Sequence, residues 1–342
     1  MQENDQDLDV AAVERYLRSH LNNFDRILSV AKFETGQSNP TFLLETPSKR
    51  YVLRRKPPGI LLKSAHAVDR EFWVQRALKD SNVPVAHMHL LCEDENLIGS
   101  SFYVMDYVDG NNFVEPTLKA LTNDDRTQIF DEINRVLANL HTVNIDAVGL
   151  TDFGPKGNYY ERQLKRWSKQ YAATETQAYP EMDELIDALQ RSLPCEDGQR
   201  GLVHGDFRID NMIFDTTSHQ CVAVLDWELS TIGHPYADLA GVIMQWQLPP
   251  GIEGRGLAGV DRKSIGLPTD QEFIEAYCER RGLPAIKNFG FYLGFSFFRM
   301  AAILQGVLKR ALDGNASNPQ RALKLGDYVP LFARKGLESL AK

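Results

Sequence analysis

The chain of 342 residues is short of cysteine, short of basic charge and has no long apolar run free of charge, and each shortage excludes something. Its four cysteines, Cys92, Cys195, Cys221 and Cys278, stand far apart, with neither the paired spacing of a zinc site nor the density of a disulfide scaffold. Reduced thiols in a cytoplasmic protein are the expectation. Lys and Arg total 38 against 46 Asp and Glu, a net charge of −8. That balance argues against a dedicated nucleic-acid binder, whose affinity rests on neutralising phosphates; a nucleotide needs only a few local cations. The first twenty residues carry acids and no apolar block, so no secretory signal is expected. The most apolar stretch, Phe289 to Leu308, carries Arg299 near its centre and Gln305 beyond it. A charge at mid-bilayer costs at least ~2.5 kcal/mol, so a buried helix of a soluble domain is expected there and no membrane partner. Internal repeats, a Walker A sequence, a Gly-x-Ser-x-Gly elbow and a zincin motif are all missing.

What is present reads as globular: 43% hydrophobic and 25% charged residues. Apolar spacing predicts a short helix over Leu8 to Leu21 and strands over Ile27 to Phe33, Thr41 to Thr46 and Tyr51 to Arg55. A helix over Ala65 to Leu78 and strands over Met88 to Cys92 and Ser101 to Val108 complete a small antiparallel sheet with one packed helix. Beyond Gly110 helices dominate: Arg126 to Leu140, Tyr159 to Tyr171 and Met182 to Leu193, with short strands between Gly201 and Asp226. The fold class is α+β, with a β-rich lobe over residues 1–104, a hinge at 105–111 and a mainly helical lobe over 112–342. Pro249 to Pro268, rich in glycine and proline, is expected to be a long exposed loop.

The densest chemistry is Leu202-Val203-His204-Gly205-Asp206-Phe207-Arg208-Ile209-Asp210-Asn211, followed by Val224-Leu225-Asp226-Trp227-Glu228. An apolar strand delivers His204 and Asp206 into a loop, Asn211 follows, and a second apolar strand ends on Asp226. That pattern suits phosphoryl transfer, in which one carboxylate accepts the proton of an attacking hydroxyl while an amide and a second carboxylate hold magnesium against the phosphates.

His-Gly-Asp-x-x-x-x-Asn with an Asp at the end of the next strand resembles the aminoglycoside phosphotransferase and choline kinase superfamily, from about Phe33 to about Ala302. The segments Tyr51 to Gly59, Arg70-Glu71-Phe72 and Tyr236 to Ala240 are closer to one branch. It includes the kinase-like half of acyl-CoA dehydrogenase family members ten and eleven and free-standing bacterial relatives; no dehydrogenase segment is expected in this chain. The resemblance implies a two-lobed, protein-kinase-like fold, ATP and Mg2+ as cofactors, and a small-molecule hydroxyl as acceptor. It makes Asp206 the catalytic base, Asn211 and Asp226 the metal ligands, and places Arg208 where protein kinases carry a lysine that reaches the transferred phosphate. Glu228 is a further contact in this reading, His204 a brace for the loop, and Asp238 the buried aspartate that accepts backbone N–H bonds from it.

The first lobe supplies the complementary parts. Phe102 to Gly110, through Met105, looks like the strand and hinge that hold adenine, with backbone groups of Asp106 and Val108 as acceptor and donor. Gly36, Ser38 and Asn39 form the expected phosphate-covering turn, although a single glycine departs from the glycine-rich pattern of protein kinases. Arg54 aligns with the strand lysine that pairs with a helix glutamate, here Glu71, and Lys56 is the other candidate. Gly254 to Gly259 matches Gly-x-Gly-x-x-Gly without a strand before it, and His87 and His89 share a strand face without a third metal ligand. With no room for a peptide-docking activation segment between Asp226 and Ala237, the acceptor is small and no obligate protein partner is implied. The nearest branch implies a hydroxy acid or hydroxyacyl-CoA acceptor, and Arg255, Arg262 and Lys263 in the Pro249–Pro268 loop are the cations expected to meet it. An aminoglycoside or choline-like kinase, a nucleotide-binding pseudokinase and a metal-dependent hydrolase are the alternatives.

Overall fold

The computed structural model describes residues 8–33, 39–57, 67–250, 256–316 and 318–341. In chain order the elements are α1 (Val10–His20), β1 (Ser29–Lys32), β2 (Thr41–Glu45), β3 (Arg50–Arg55), α2 (Val68–Leu78), β4 (Met88–Cys92) and β5 (Phe102–Asp106). Then come α3 (Asn123–Thr142), α4 (Tyr159–Thr174), α5 (Pro180–Arg191), β6 (Gly201–Val203), β7 (Met212–Phe214), β8 (Cys221–Val224) and β9 (Thr231–Gly233). The rest is helical: α6 (Tyr236–Trp246), α7 (Asp270–Arg280), α8 (Phe289–Leu312), α9 (Pro319–Gly326) and α10 (Val329–Leu340). The fold is α+β: a five-stranded antiparallel sheet first, then a mainly helical part. The chain forms two compact units. The first is Met1–Phe113 with Asp146–Leu150 and Arg208–Ser230; the second is Val114–Ile145, Thr151–Phe207 and Thr231–Lys342.

In the first unit the sheet order is β1-β2-β3-β5-β4, every neighbouring pair antiparallel. The central strands β3 and β5 are apolar on both faces, because consecutive positions carry Tyr51, Val52, Leu53 and Phe102, Tyr103, Val104, Met105. Side chains alternate along a strand, so Tyr51, Leu53, Phe102 and Val104 meet Ala12, Val13 and Leu17 of α1. Val52, Tyr103 and Met105 instead meet Val68 and Phe72 of α2. The sheet therefore carries a helix on each face, α1 in addition to the expected α2. Each fully buried Leu, Val or Phe here contributes roughly 1.5–3 kcal/mol.

The β7–β8 hairpin belongs to this unit through backbone bonds to the strap after β5. Asn111 N–H donates to Phe214 O at 2.7 Å and Phe214 N–H returns to Asn111 O at 2.9 Å. Asn112 Nδ2 donates to the carbonyls of Asp210 and Met212 at 2.8 and 2.9 Å, and Val224 N–H to Pro84 O at 2.9 Å. The compact units thus differ from a single cut at 105–111 by carrying Arg208–Ser230 with the first unit.

The second unit is built around α8, which packs against α4, α6, α9 and α10. Its most apolar 18-residue window is 72% buried within the unit, which makes it a core helix. The expected exposed loop at Pro249–Pro268 is partly buried over its described part. Leu257 and Leu267 are buried, Leu257 N–H donates to Trp246 O at 2.9 Å, and Ala258 N–H to Leu248 O at 3.0 Å. Gly256 permits this close approach: a Cβ there would sit 2.1 Å from Leu248 O. The described part is thus a loop, as expected, that is anchored by Leu257 and Leu267 while Gly259, Asp261, Lys263 and Ser264 remain exposed.

Candidate active site

Two sets of groups, one in each unit, hold the residues picked out in the sequence; the chain passes from the second unit to the first between Phe207 and Arg208.

In the second unit β6 leads directly into His204-Gly205-Asp206. Gly205 sits at φ +85°, a conformation open to glycine at no steric cost. Asp238, on the first turn of α6, fixes the bend. Its carboxylate accepts His204 N–H at 2.7 Å and Gly205 N–H at 2.8 Å, and His141 Nε2–H at 3.3 Å. Burial alone would raise the Asp238 pKa; the hydrogen bonds from His141 and Gly205 outweigh it and hold the group below the ordinary aspartate value. His204 is fully buried, and its Nδ1 accepts Asp206 N–H at 3.3 Å, so the imidazole braces the loop. Behind His141 runs a chain the sequence did not reveal: Arg281 Nη1 donates to Tyr277 Oη at 2.7 Å, and that hydroxyl donates to His141 Nδ1 at 2.7 Å.

In the first unit the centre is Arg54. Its Nε lies 3.1 Å from Glu71 Oε2, and its Nη2 donates to Asp226 Oδ1 at 2.8 Å. The cation facing Glu71 is therefore Arg54; Lys56 points to Asp69, 3.8 Å away. Glu71 is buried, and burial pushes its carboxyl up to about 7, with Asp226 and Glu228 adding to the rise and Arg54 opposing it. Glu71 has two further holders. Asn39 Nδ2 donates to Glu71 Oε1 at 3.0 Å, and Tyr103 Oη to Glu71 Oε2 at 3.0 Å. Asn39, expected in the phosphate-covering turn through its backbone N–H, has a fully buried side chain that also serves Glu71. Gly36 and Ser38 lie outside the described residues. Tyr103 was missed by sequence reasoning, yet a tyrosine at an inward position of a central strand needs a partner for its hydroxyl.

Asn211 and Asp226 come together because β7 and β8 pair in register, Met212 with Val224, leaving both residues at one end of the hairpin. Leu225 N–H donates to Asn211 O at 2.7 Å. Asp226 adopts φ +64°, ψ +61°, a left-handed conformation uncommon for a non-glycine residue and found at functional sites. Carboxylate oxygens of Glu71, Asp226 and Glu228 lie within 4.8 Å of one another. With the Asn211 amide this is an all-oxygen donor set, which fits magnesium. Arg208 leans back on Asp210, its Nε 3.0 Å from Oδ1. At the expected hinge, Asp106 N–H donates to His87 O at 2.9 Å and Tyr107 N–H to Arg50 O at 3.2 Å, while Val108 N–H meets no backbone acceptor among the described residues. Met105 is buried with Val52 and Tyr103. His89 and Lys49 both reach Asp106 Oδ1, at 2.5 and 2.6 Å, so His89 is engaged by that carboxylate.

Of the basic residues in the Pro249–Pro268 loop, Arg255 lies outside the described residues. Arg262 Nη1 is 2.6 Å from Asp270 Oδ1 and Lys263 Nζ is 3.5 Å from Glu272 Oε1. Both are paired with acids of α7, Arg262 in a half-buried pair and Lys263 at the surface.

A carboxylate-anchored loop after a strand, an arginine bridging a helix glutamate to a hairpin aspartate, and a sheet-then-helix fold define a phosphotransferase. The profile of the phosphotransferase enzyme family matches residues 29–284, and the chain belongs to that family. It is 44% identical over 309 residues to mouse acyl-CoA dehydrogenase family member 10, covering 90% of this chain and 29% of that protein. It is 41% identical over 335 residues to human acyl-CoA dehydrogenase family member 11, covering 96% of this chain and 43% of that protein. The chain spans less than half the length of these curated relatives. Among solved structures, a protein from Ralstonia eutropha provisionally named an aminoglycoside phosphotransferase superposes with a TM-score of 0.89 at 44% identity, covering 98% of each chain. Spectinomycin phosphotransferase APH(9)-Ia, solved with ADP and spectinomycin, shares the fold at a TM-score of 0.64 and 13% identity, over 96% of this chain and 98% of that one.

Proposed function

We propose that the chain is an ATP- and magnesium-dependent phosphotransferase that moves the γ-phosphate of ATP to a hydroxyl of a small molecule, a hydroxy acid or hydroxyacyl-CoA. The observation that carries the reading is the Glu71–Arg54–Asp226 chain, a guanidinium held between a buried helix glutamate and a carboxylate at the end of the β7–β8 hairpin. Such a cation, fixed at its root, is suited to bind nucleotide phosphates. Asp226 and Asn211 would hold the metal, which when bound neutralises charge on the phosphates. The Asp106 carbonyl and Val108 N–H serve the adenine edge. Asp206 takes the proton of the acceptor hydroxyl as its oxygen bonds to the γ-phosphorus and the bond to the ADP oxygen breaks. Asp238 and His204 keep the Asp206 loop in one conformation, so little reorganisation is needed at the moment of transfer.

The acceptor class follows the relatives whose names join this segment to an acyl-CoA dehydrogenase. The test is ATP consumption measured across hydroxy acids, hydroxyacyl-CoAs, choline-like alcohols and aminoglycosides, with Asp206→Asn as the control. Turnover on one acceptor class that falls by roughly 10²–10⁴ in the variant, with ATP affinity kept, is the expected result. Equal turnover in the variant would sink the assignment of Asp206. ATP binding without consumption on any acceptor would sink the phosphotransfer reading.

A further inference from the structure

Arg299, the charge inside the apolar helix α8, is placed beside the Asp206 loop within the second unit. Its Nη2 donates to the carbonyl of Gly205, one residue before Asp206, at 3.1 Å. Its guanidinium also lies over the Trp167 ring, 5.8 Å from the centroid. Arg166 lies over the same ring at 5.4 Å, and Arg162, one turn earlier on α4, donates through Nη1 to Lys156 O at 2.9 Å and also to Gly157 O. Arg299 and Arg166 meet at the Trp167 ring and Arg162 lies one turn before Arg166 on α4; all three, with Asp238, bear on the Tyr159 hydroxyl. None has a carboxylate within ion-pair distance among the described residues. In a chain with 46 acids to 38 bases, three neighbouring arginines without an acid partner are a departure. The contrast with Arg262 and Lys263, each answered by an acid on α7, is direct. A guanidinium has five N–H donors in a planar fork matched to carboxylate and phosphate. Arg299 spends one of them on Gly205 and is half-buried, so water screens its remaining donors less than it would on an open surface.

We propose that Arg299, supported by Arg166 and Arg162, recognises an anionic group on the acceptor, a carboxylate or a phosphate, and so sets the enzyme's preference for acidic acceptors over polycationic ones. The proposal rests on the phosphotransferase reading and deepens it: Arg299 takes the role of specificity determinant in place of Arg262 and Lys263, which are paired with acids. Carboxylate and phosphate are the two sources of the same chemistry, the first from a free hydroxy acid and the second from the pyrophosphate of a coenzyme A thioester.

Three acceptors with the same hydroxyl separate the cases: a 4-hydroxy acid, its neutral primary amide and its coenzyme A thioester. The wild type is expected to use the acid or the thioester at least about tenfold better than the amide. Arg299→Gln should raise KM for that anionic acceptor about 10- to 100-fold, the loss of a charge-assisted hydrogen bond, with KM for ATP unchanged and the amide little affected. Arg299→Lys should recover part of the loss. An effect confined to the free acid identifies the carboxylate; one confined to the thioester, and deepened by Arg166→Gln, identifies phosphate. Equal losses on charged and neutral acceptors would overturn the proposal and leave Arg299 as a prop for the Gly205 carbonyl. Calorimetry with hexanoate and hexanoyl-CoA, which lack the hydroxyl, reads binding without turnover. Binding to the wild type that is lost in Arg299→Gln supports the anion site even if ATP is consumed on no acceptor; binding of neither ligand overturns it.

Discussion

Arg54 holds two carboxylates at once, Glu71 through Nε at 3.1 Å and Asp226 through Nη2 at 2.8 Å. The two acids stand in different surroundings: the Glu71 side chain is 1% exposed and that of Asp226 is 28% exposed. Glu71 is therefore the fixed anchor, and Asp226 the partner able to exchange Arg54 for another cation. In the proposed function, nucleotide and metal binding on this unit would amount to that exchange.

Replacing Asp226 by Ala should abolish the magnesium dependence of ATP binding. Asn211 is neutral, and Glu71 is already held by Arg54, Asn39 and Tyr103. That leaves Glu228 as the remaining carboxylate of the set for a hard divalent cation that favours several. Calorimetric titration of ATP with and without magnesium gives the answer. The wild type should bind more tightly with the metal, and the variant equally with and without it. A variant in which magnesium still tightens ATP by the wild-type factor would show that Asp226 is not the ligand.

Tyr103→Phe should act through Glu71. The substitution keeps the ring between β3 and α2 but removes the hydroxyl that donates to Glu71 Oε2 at 3.0 Å, leaving a buried carboxylate with one donor fewer. The expected cost is about 1–3 kcal/mol in stability, the range for an under-satisfied buried acceptor. KM for ATP should rise as Arg54 loses its fixed root. In a Glu71→Gln background the same change should have a smaller effect, because the two residues are coupled. Urea unfolding and ATP kinetics on the four proteins close the cycle, and additive effects would show that Tyr103 does not work through Glu71.

Much of this arrangement was legible in the sequence because it depends on local pattern. His204-Gly205-Asp206, Asn211 and Asp226 sit at strand ends, and alternation and turn residues locate strand ends from the chain alone. Asp238 was readable as a loop anchor, and the structure gives it the two backbone N–H bonds that role requires. The choice between Arg54 and Lys56 needed three dimensions, since both lie on one strand face and only packing decides which reaches Glu71. Tyr103, Asn39 and the Arg281–Tyr277–His141 chain were hidden for the same reason: their partners are 32 residues away for Tyr103 and Asn39, and 136 for His141. Composition gave only part of Pro249–Pro268. Glycine and proline there read as solvent-exposed loop, whereas Gly256 serves a close backbone approach and Arg262 is tied to Asp270 and lies over Trp246.

Stability should fall as the pH drops below about 6.5, and His141 and His234 give the sign. Both are buried, and burial lowers the pKa of each below its ordinary value of 6.5, although Asp238 and Asp197 respectively oppose the shift. Arg281 faces both imidazoles and works in the same direction as burial. Below 6.5 the unfolded chain takes up protons that the folded chain refuses, so unfolding gains up to about 1.4 kcal/mol per pH unit for each histidine until the folded value is reached. Asp238 is shifted downward as well, so its contribution persists through this window and is lost only as the pH falls below its ordinary 3.8. Between pH 6.5 and 4.5 the decline belongs to these histidines and to His89, also shifted down. Glu71, raised to about 7, takes up its proton first in the folded chain and offsets part of it. His141→Gln removes one titrating group while keeping an N–H donor for Asp238, and should flatten the dependence of Tm on pH by the share of one histidine while lowering Tm at pH 7.5. Because Glu71 works in the opposite sense, the test is the comparison: a slope unchanged in His141→Gln would mean that the buried imidazoles do not govern the acid limb. The His141–Asp238 bond matters beyond stability, because Asp238 also holds the backbone of His204 and Gly205. A flatter acid limb in the variant should therefore come with a lower kcat at neutral pH, where neither group is titrating.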